Sequence, residues 1–379
     1  MSKTAKDHTA LEPQPGYFLT IPAGYYTDPS IFEIEKENIF ANAWQFAGHV
    51  DQLPNIGSYF TLDLLDDSLI FIRTAADEIK GFHNVCRHRA HRLLESNGEI
   101  DAIVCPYHAW RYSVDGSLQY AKNSQHVKGF DHTSFSLVPI RVELFLGIIM
   151  FNLNLSASSF DSQVPGLAQE VRHVCSTIDT LTVEPAACGG FTASELECNW
   201  KVLVDNCVEC YHCQSAHRLF VDLIDMNSYH ITLHQRHSSH VATGRATNRA
   251  YSYIPNEGAN GFGFWHIWPN MTFGVFPGEP NFAAFCSHPE APTRSRARGL
   301  RLRLPSPPTE EDVERINYID KILWPEDKAL CESVQHGLNS RSYDQGVLMA
   351  QAPYTGESES VVHLFQKLTL EAINRGDNQ

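Results

Sequence analysis

The chain has 379 residues, a formal net charge of −15, 43% hydrophobic and 19% charged residues. This is the composition of an ordinary soluble globular protein with material for about two domains. The acidic balance excludes a partner that needs a basic face, such as a nucleic-acid backbone. No apolar run approaches the ~18 residues of a membrane span.

The opening stretch, "MSKTAKDHTALEPQPG", lacks the apolar centre of a secretory signal, so a cytoplasmic protein is expected, with most of its ten cysteines kept as thiols. Up to Ala23 the sequence is polar and Pro-rich and reads as a surface segment. "TDPSIFEIEKENIFANAW" follows as a helix, with Asp28 as N-cap, Pro29 in the first turn, and Ile31, Phe32, Ile34, Ile39 and Phe40 near helical spacing. From Gln45 to about Asn152 the pattern is short strands and turns, with a hairpin signal at Asp115-Gly116.

After "SASSFDSQVPG" helical and strand patterns mix. One helix is expected over "WKVLVDNCVECYHCQSAH", residues 200–217, and an aromatic strand pair in "GFWHIWPNMTFGVFPG". Another helix is expected in "TEEDVERINYIDKIL", with Thr309 as N-cap and Asp312 completing a capping box. The fold class is α+β: a small all-β domain, then a larger α+β one. The boundaries are drawn at 1–44 (an N-terminal segment and helix packing on the larger domain), 45–155 and 156–379.

The run from Asn84 to Tyr112, "NVCRHRAHRLLESNGEIDAIVCPYHAWRY", pairs Cys86 with His88 and Cys105 with His108. Two sulfurs and two imidazoles suit a tetrahedral zinc. They also suit a Rieske [2Fe–2S] centre, with both cysteines on one iron and both histidines on the other. Each loop supplies one Cys and one His in the same order, which favours the second. The likeness to a Rieske domain extends to Pro106-Tyr107, Ala109-Trp110 and the Asp115-Gly116 turn. His91 is read as a support for its loop rather than as a ligand.

"DNCVECYHCQSAH", Asp205 to His217, contains two further histidines, His212 and His217. On an unbroken helix they would sit about 140° apart, so a helix end or bulge between them is needed to aim both at one ion. Two imidazoles and a carboxylate make the facial triad of non-haem Fe(II) oxygenases. Asp205, Glu209 and the distant Asp327 are open candidates for the carboxylate.

From about Tyr25 to Met349 the chain resembles the oxygenase α-subunit of Rieske non-haem iron oxygenases. The forms D-N-x-x-E-C-Y-H-C-x-x-A-H and E-D-x-x-L-x-E-S-V-Q-x-G-L are similar to the branch acting on quaternary ammonium compounds (carnitine and choline monooxygenases, glycine-betaine demethylase). The resemblance implies a helix-grip-like catalytic domain, with iron at His212, His217 and Asp327. It implies a bridging Glu209 facing His108 of the partner subunit in a homotrimer. It implies O2 as co-substrate and an NADH-dependent flavin and iron–sulfur reductase as partner. The implied reaction is hydroxylation next to nitrogen, ending in N-demethylation or C–N cleavage. Asp205 and Asn206 would orient the ligand helix. Ala90 departs from the family's usual Gly, as do Cys207-Val208 and Gln214-Ser215 from their usual pairs.

Three other features have plainer readings. Cys207, Cys210 and Cys213 read as small buried thiols rather than another cluster. His230, His234, His237 and His240 fit neither a strand face nor a helix face cleanly, and read as strand or loop histidines or as metal ligands. Phe262, Phe264, Trp265 and Trp268 are core or pocket. Phe264, Trp265 and Trp268 are the substrate-binding candidates, since cation–π contact recognises a trimethylammonium head that has no hydrogen-bond donor. Other functions kept open are an aromatic-ring hydroxylating oxygenase, a Rieske electron carrier and a zinc-stabilised binding module.

Overall fold

Between Ser58 and Leu64 side chains alternate between buried and more exposed, the period of a strand with one face on a core. This strand belongs to a seven-stranded antiparallel sheet. Its order is Gln45–His49, Ile148–Asn152, Pro139–Phe145, Glu78–His83, Asp67–Ala75, Ser58–Leu64, Asn97–Glu99. A three-stranded sheet of Ala102–Val104, Arg111–Ser113 and Leu118–Tyr120 completes the all-β unit. Ile70, Ile72, Phe82, Ile103, Tyr112 and Leu118 form its core, and Cys86 and Cys105 are buried among them.

The structure is a computed structural model that describes residues 17–184, 194–255, 261–350 and 355–375. Most of the polar opening segment falls outside the described residues. Two compact units are distinguished, one from Ala41 to Phe160, the other comprising Met1–Phe40 and Asp161–Gln379. Among the described residues no helix is long and apolar enough to cross a membrane.

The larger unit is α+β. Its antiparallel sheet runs Thr182–Val183, Arg294–Arg303, Asn281–Ala291, Met271–Val275, Gly261–Ile267, His237–Thr243, His230–Leu233, with Ser194–Leu196 also on the Arg294–Arg303 strand. The expected N-terminal helix spans Pro29–Glu35. Asp28 accepts from the Ser30 amide, and a π-helical turn follows at Lys36–Phe40. Glu35 carries this helix into the core, where it pairs with Lys201 at 2.5 Å and accepts from Trp200 Nε1 at 2.9 Å. The Thr309–Asp312 capping box starts the helix Glu310–Tyr318.

The helix expected over 200–217 is in two pieces, Trp200–Cys207 and the single turn Cys213–Ala216. The first piece is held by a buried face of Trp200, Val202, Leu203 and Val204. Beyond it that apolar pattern stops, and the Cys210 amide donates to the Gly356 carbonyl at 3.0 Å instead of to a helical partner.

Candidate metal centres

The two Cys/His loops of the β unit follow one plan. The cysteine carbonyl accepts from the amide four residues on, Ala90 to Cys86 and Ala109 to Cys105, both at 3.0 Å. The cysteine amide donates to the carbonyl five residues on, Cys86 to His91 at 2.9 Å and Cys105 to Trp110 at 2.8 Å. Both alanines are left-handed, with φ of 54° and 56°, a backbone that glycine adopts without the Cβ penalty. Ala90 thus makes the same turn a glycine would, at a steric cost.

Both thiols are buried, whereas His88 is exposed and His108 half-buried. The two imidazole rings lie 4.6 Å apart, and Trp110 stacks on His88 at 4.9 Å. His108 Nδ1 is buried and has no hydrogen-bond partner among the described residues. An orphaned ring nitrogen beside two enclosed sulfurs fits ligation by metal. The Tyr112 hydroxyl lies 3.4 Å from Cys86 Sγ and accepts from the Arg87 amide at 3.0 Å. The His91 ring bonds the Arg92 carbonyl at 2.5 Å, so it braces its own loop.

In the larger unit the broken helix resolves the angular conflict between the two histidines. His212 heads the Cys213–Ala216 turn and His217 ends it, leaving helical geometry at φ −114°, ψ 65°. Their Nε2 atoms come within 3.1 Å of each other. Asp327 arrives from the helix Trp324–Leu338, which continues from Glu310–Tyr318 through a π-helical turn at Ile319–Leu323. Its Oδ1 lies 2.9 Å from His217 Nε2 and 3.5 Å from His212 Nε2.

The opposite nitrogens are held from behind. His212 Nδ1 is 2.6 Å from Glu209 Oε1, and His217 Nδ1 is 2.8 Å from Glu326 Oε2. An ionised carboxylate only accepts, so each Nδ1 donates its ring hydrogen, and an ion at the centre would take the Nε2 lone pairs by displacing any proton there. Two lone pairs and a carboxylate oxygen therefore converge. An ion bonded at about 2.1 Å to three ligands at right angles sets them roughly 3.0 Å apart, close to the spacing found. The same carboxylates draw protons onto both rings, and an ion must displace them to bind. Burial opposes a charge on His212, but Asp327 and Glu209 outweigh it and hold its pKa up at about 9. Burial likewise raises Asp327, and its bonds to His212 and His217 reverse the shift and bring it below the usual carboxylate range.

The other candidates divide. Glu209 also accepts from the Tyr211 and His212 amides, so it fixes the loop as well as the ring. Asn206 Nδ2 is 3.5 Å from His212 Nε2. Asp205 bonds away from the triad, to the Tyr26 hydroxyl at 2.5 Å and Gln366 Nε2 at 3.1 Å, and burial lifts its pKa to about 7. Glu326 is the residue that sequence reasoning passes over. Its signal is the adjacent acidic pair Glu326-Asp327.

A cavity of about 400 Å³ reaches the triad. Its wall includes Phe220, Tyr229, Phe262, Phe264, Phe282 and Phe285, together with Glu184 and three arginines, Arg301, Arg303 and Arg315. Phe264 is therefore in the pocket, but Trp265 and Trp268 are not among its lining. Strand alternation turns Trp265 to the other face, where its Nε1 donates to Glu170 at 3.2 Å. Trp268 lies past the strand end, under the Arg236 guanidinium, with Nε1 3.3 Å from Thr369 Oγ1. Cys210 and Cys213, expected as separate thiols, are joined as a disulfide, and Cys207 is free.

Residues 43–131 match the Rieske [2Fe–2S] domain, and residues 184–374 match the ring hydroxylating alpha subunit catalytic domain. The chain is 34% identical to the carnitine monooxygenase oxygenase subunit of Acinetobacter baumannii, over 93% of this chain and 94% of that protein. It is 29% identical to the chloroplastic choline monooxygenase of Beta vulgaris, covering 86% and 72%. A solved quaternary ammonium Rieske monooxygenase, studied for carnitine oxidation and inter-subunit electron transfer, superposes with a TM-score of 0.87 at 32% identity, covering 96% and 99%. With one catalytic family matched over half its length and a relative 34% identical over 93% of it, the chain belongs to the Rieske non-haem iron oxygenases, as an oxygenase α-subunit with a [2Fe–2S] cluster and a mononuclear iron.

Proposed function

We propose that this oxygenase subunit uses O2 and reductase-supplied electrons to oxidise a small quaternary ammonium compound of the carnitine, betaine or choline type. The product is formaldehyde by N-demethylation or trimethylamine by C–N cleavage. The observation that carries the reading is the cavity wall. Phe220, Tyr229, Phe262, Phe264, Phe282 and Phe285 line the same space as His212, His217 and Asp327. Aromatic faces attract a trimethylammonium group that offers no hydrogen to donate. Arg301, Arg303 and Arg315 in the same wall are paired with Asp320, Glu184 and Asp312 of the chain itself.

When bound, the two iron groups supply single-electron storage and O2 chemistry. The chain supplies the holders. In this reading Cys86 and Cys105 take one cluster iron and His88 and His108 the other, while His212, His217 and Asp327 hold the single iron. Glu209 and Glu326 fix the rings of His212 and His217, and Phe264 contacts the substrate head. Glu209 also bridges to His108 of the partner subunit in a homotrimer. An NADH-dependent flavin and iron–sulfur reductase serves it in the cytoplasm.

The test is a panel of carnitine, γ-butyrobetaine, glycine betaine, proline betaine and choline with a surrogate reductase, following formaldehyde and trimethylamine. Turnover of at least one is expected. Inactivity on the whole panel together with cis-diol or phenol formation from aromatic rings would overturn the proposal.

A further inference from the structure

On the sheet face turned away from the cavity lies a second group of metal-binding side chains. Helix Leu167–Val174 contributes Glu170, the turn after strand His230–Leu233 contributes His234, and strand His237–Thr243 opens with His237. One donor atom of each lies within 4.8 Å of those of the other two. Glu170 is held as metal-ligating carboxylates are held: its Oε2 accepts from Ser239 Oγ and from Trp265 Nε1 at 3.2 Å, and Oε1 is 3.1 Å from His234 Nε2. Carboxylate ligands are characteristically fixed by such outer bonds.

His237 supplies the second observation. It is only 1% exposed, yet neither ring nitrogen has a hydrogen-bond partner among the described residues. A buried imidazole with no partner bears the desolvation cost of both nitrogens unless something binds there. The His234 and His237 rings stack at 4.0 Å and 5°. One ring must turn about its Cβ–Cγ bond to share an ion with the other, and His237 has no hydrogen bond to break in turning. Glu170 and His234 are partly exposed, which gives an ion a way in and leaves room for water ligands.

We propose that Glu170, His234 and His237 form a site for a divalent transition ion of the zinc class, separate from the iron triad, that ties the helix to the hairpin. Two imidazoles and one carboxylate match the ligand preferences of zinc and its neighbours. An ion bound only by the folded chain also raises its unfolding temperature.

The experiment equilibrates the iron-loaded holoenzyme with Zn2+, removes free metal by gel filtration, and measures zinc and iron per chain together with Tm. His237→Phe keeps a stacking ring without nitrogens, and Glu170→Gln removes the anionic ligand. The expected result is one zinc retained per chain with iron unchanged and a zinc-dependent rise in Tm, both lost in either variant that folds. Absence of retained zinc, equal zinc in the parent and both variants, or zinc gained only as iron is lost would each overturn the site.

Discussion

Single side chains set the chemistry of both centres, and two of them lie outside the ligand sets. Glu326 holds His217 from behind as Glu209 holds His212. Glu326→Gln keeps the shape but weakens that hold, so iron affinity at the triad should fall about 10–100-fold. Iron analysis after dialysis against a chelator measures this, and the cluster's reduced-state EPR signal should not change. At the other centre, the Tyr112 hydroxyl is the polar neighbour of Cys86 Sγ. A bond donated to a ligand sulfur stabilises the electron-rich reduced cluster. Tyr112→Phe should therefore lower the reduction potential, as redox titration would show, while cluster content stays the same. At Ala90 the left-handed φ of 54° costs about 1 kcal/mol for a residue with a Cβ. Ala90→Gly should raise stability by up to that amount, read by denaturant titration.

At the scale of elements, Asp205 joins three segments. It projects from helix Trp200–Cys207 and bonds Tyr26 near the N-terminus and Gln366 in helix Ser360–Ile373. Burial raises its pKa from 3.8 to about 7. The folded chain therefore binds a proton that the unfolded chain has already released between about pH 4 and 7, so stability from this group falls as pH rises through that window. Asp205→Asn keeps neutral hydrogen-bonding capacity without the titration. It should flatten the pH dependence of Tm between pH 5 and 8, with the variant gaining on the parent toward the alkaline side. The sequence revealed helix starts better than helix ends. Asp28, Thr309 and Asp312 advertise their caps, whereas the stop after Cys207 comes from a tertiary bond to the Gly356 carbonyl, which local sequence does not encode. For the same reason alternation alone left open which of Phe264 and Trp265 points to the pocket. The face was settled by what packs on the far side, with Glu170 bonding the Trp265 indole.

For the whole molecule, the division into a β unit and a larger α+β unit separates electron storage from oxygen chemistry. Asp327→Ala should leave the Rieske spectrum and its reduction by the partner reductase intact. Iron would drop from three to two per chain, and product formation would cease. A carrier with a vestigial second site would instead show two irons in the parent as well. The proposed cluster ligands stood out because both loops carry Cys and His at short local spacing. The triad needed a residue more than a hundred positions downstream, which only the likeness of the "EDKALCESVQHGL" stretch to a family pointed out. The pocket was least legible, because its wall gathers residues from most of the larger unit.

The strand Gly261–Ile267 serves two masters through its pleat. Phe262 and Phe264 look into the cavity, while Trp265 is committed to Glu170 on the reverse. A slip of one position in its pairing with His237–Thr243 would turn an indole into the cavity and strip the helix behind of its anchor. Substitutions along this strand that reshape the cavity are thus channelled into positions of one parity. Their neighbours stay pinned by packing on the reverse face.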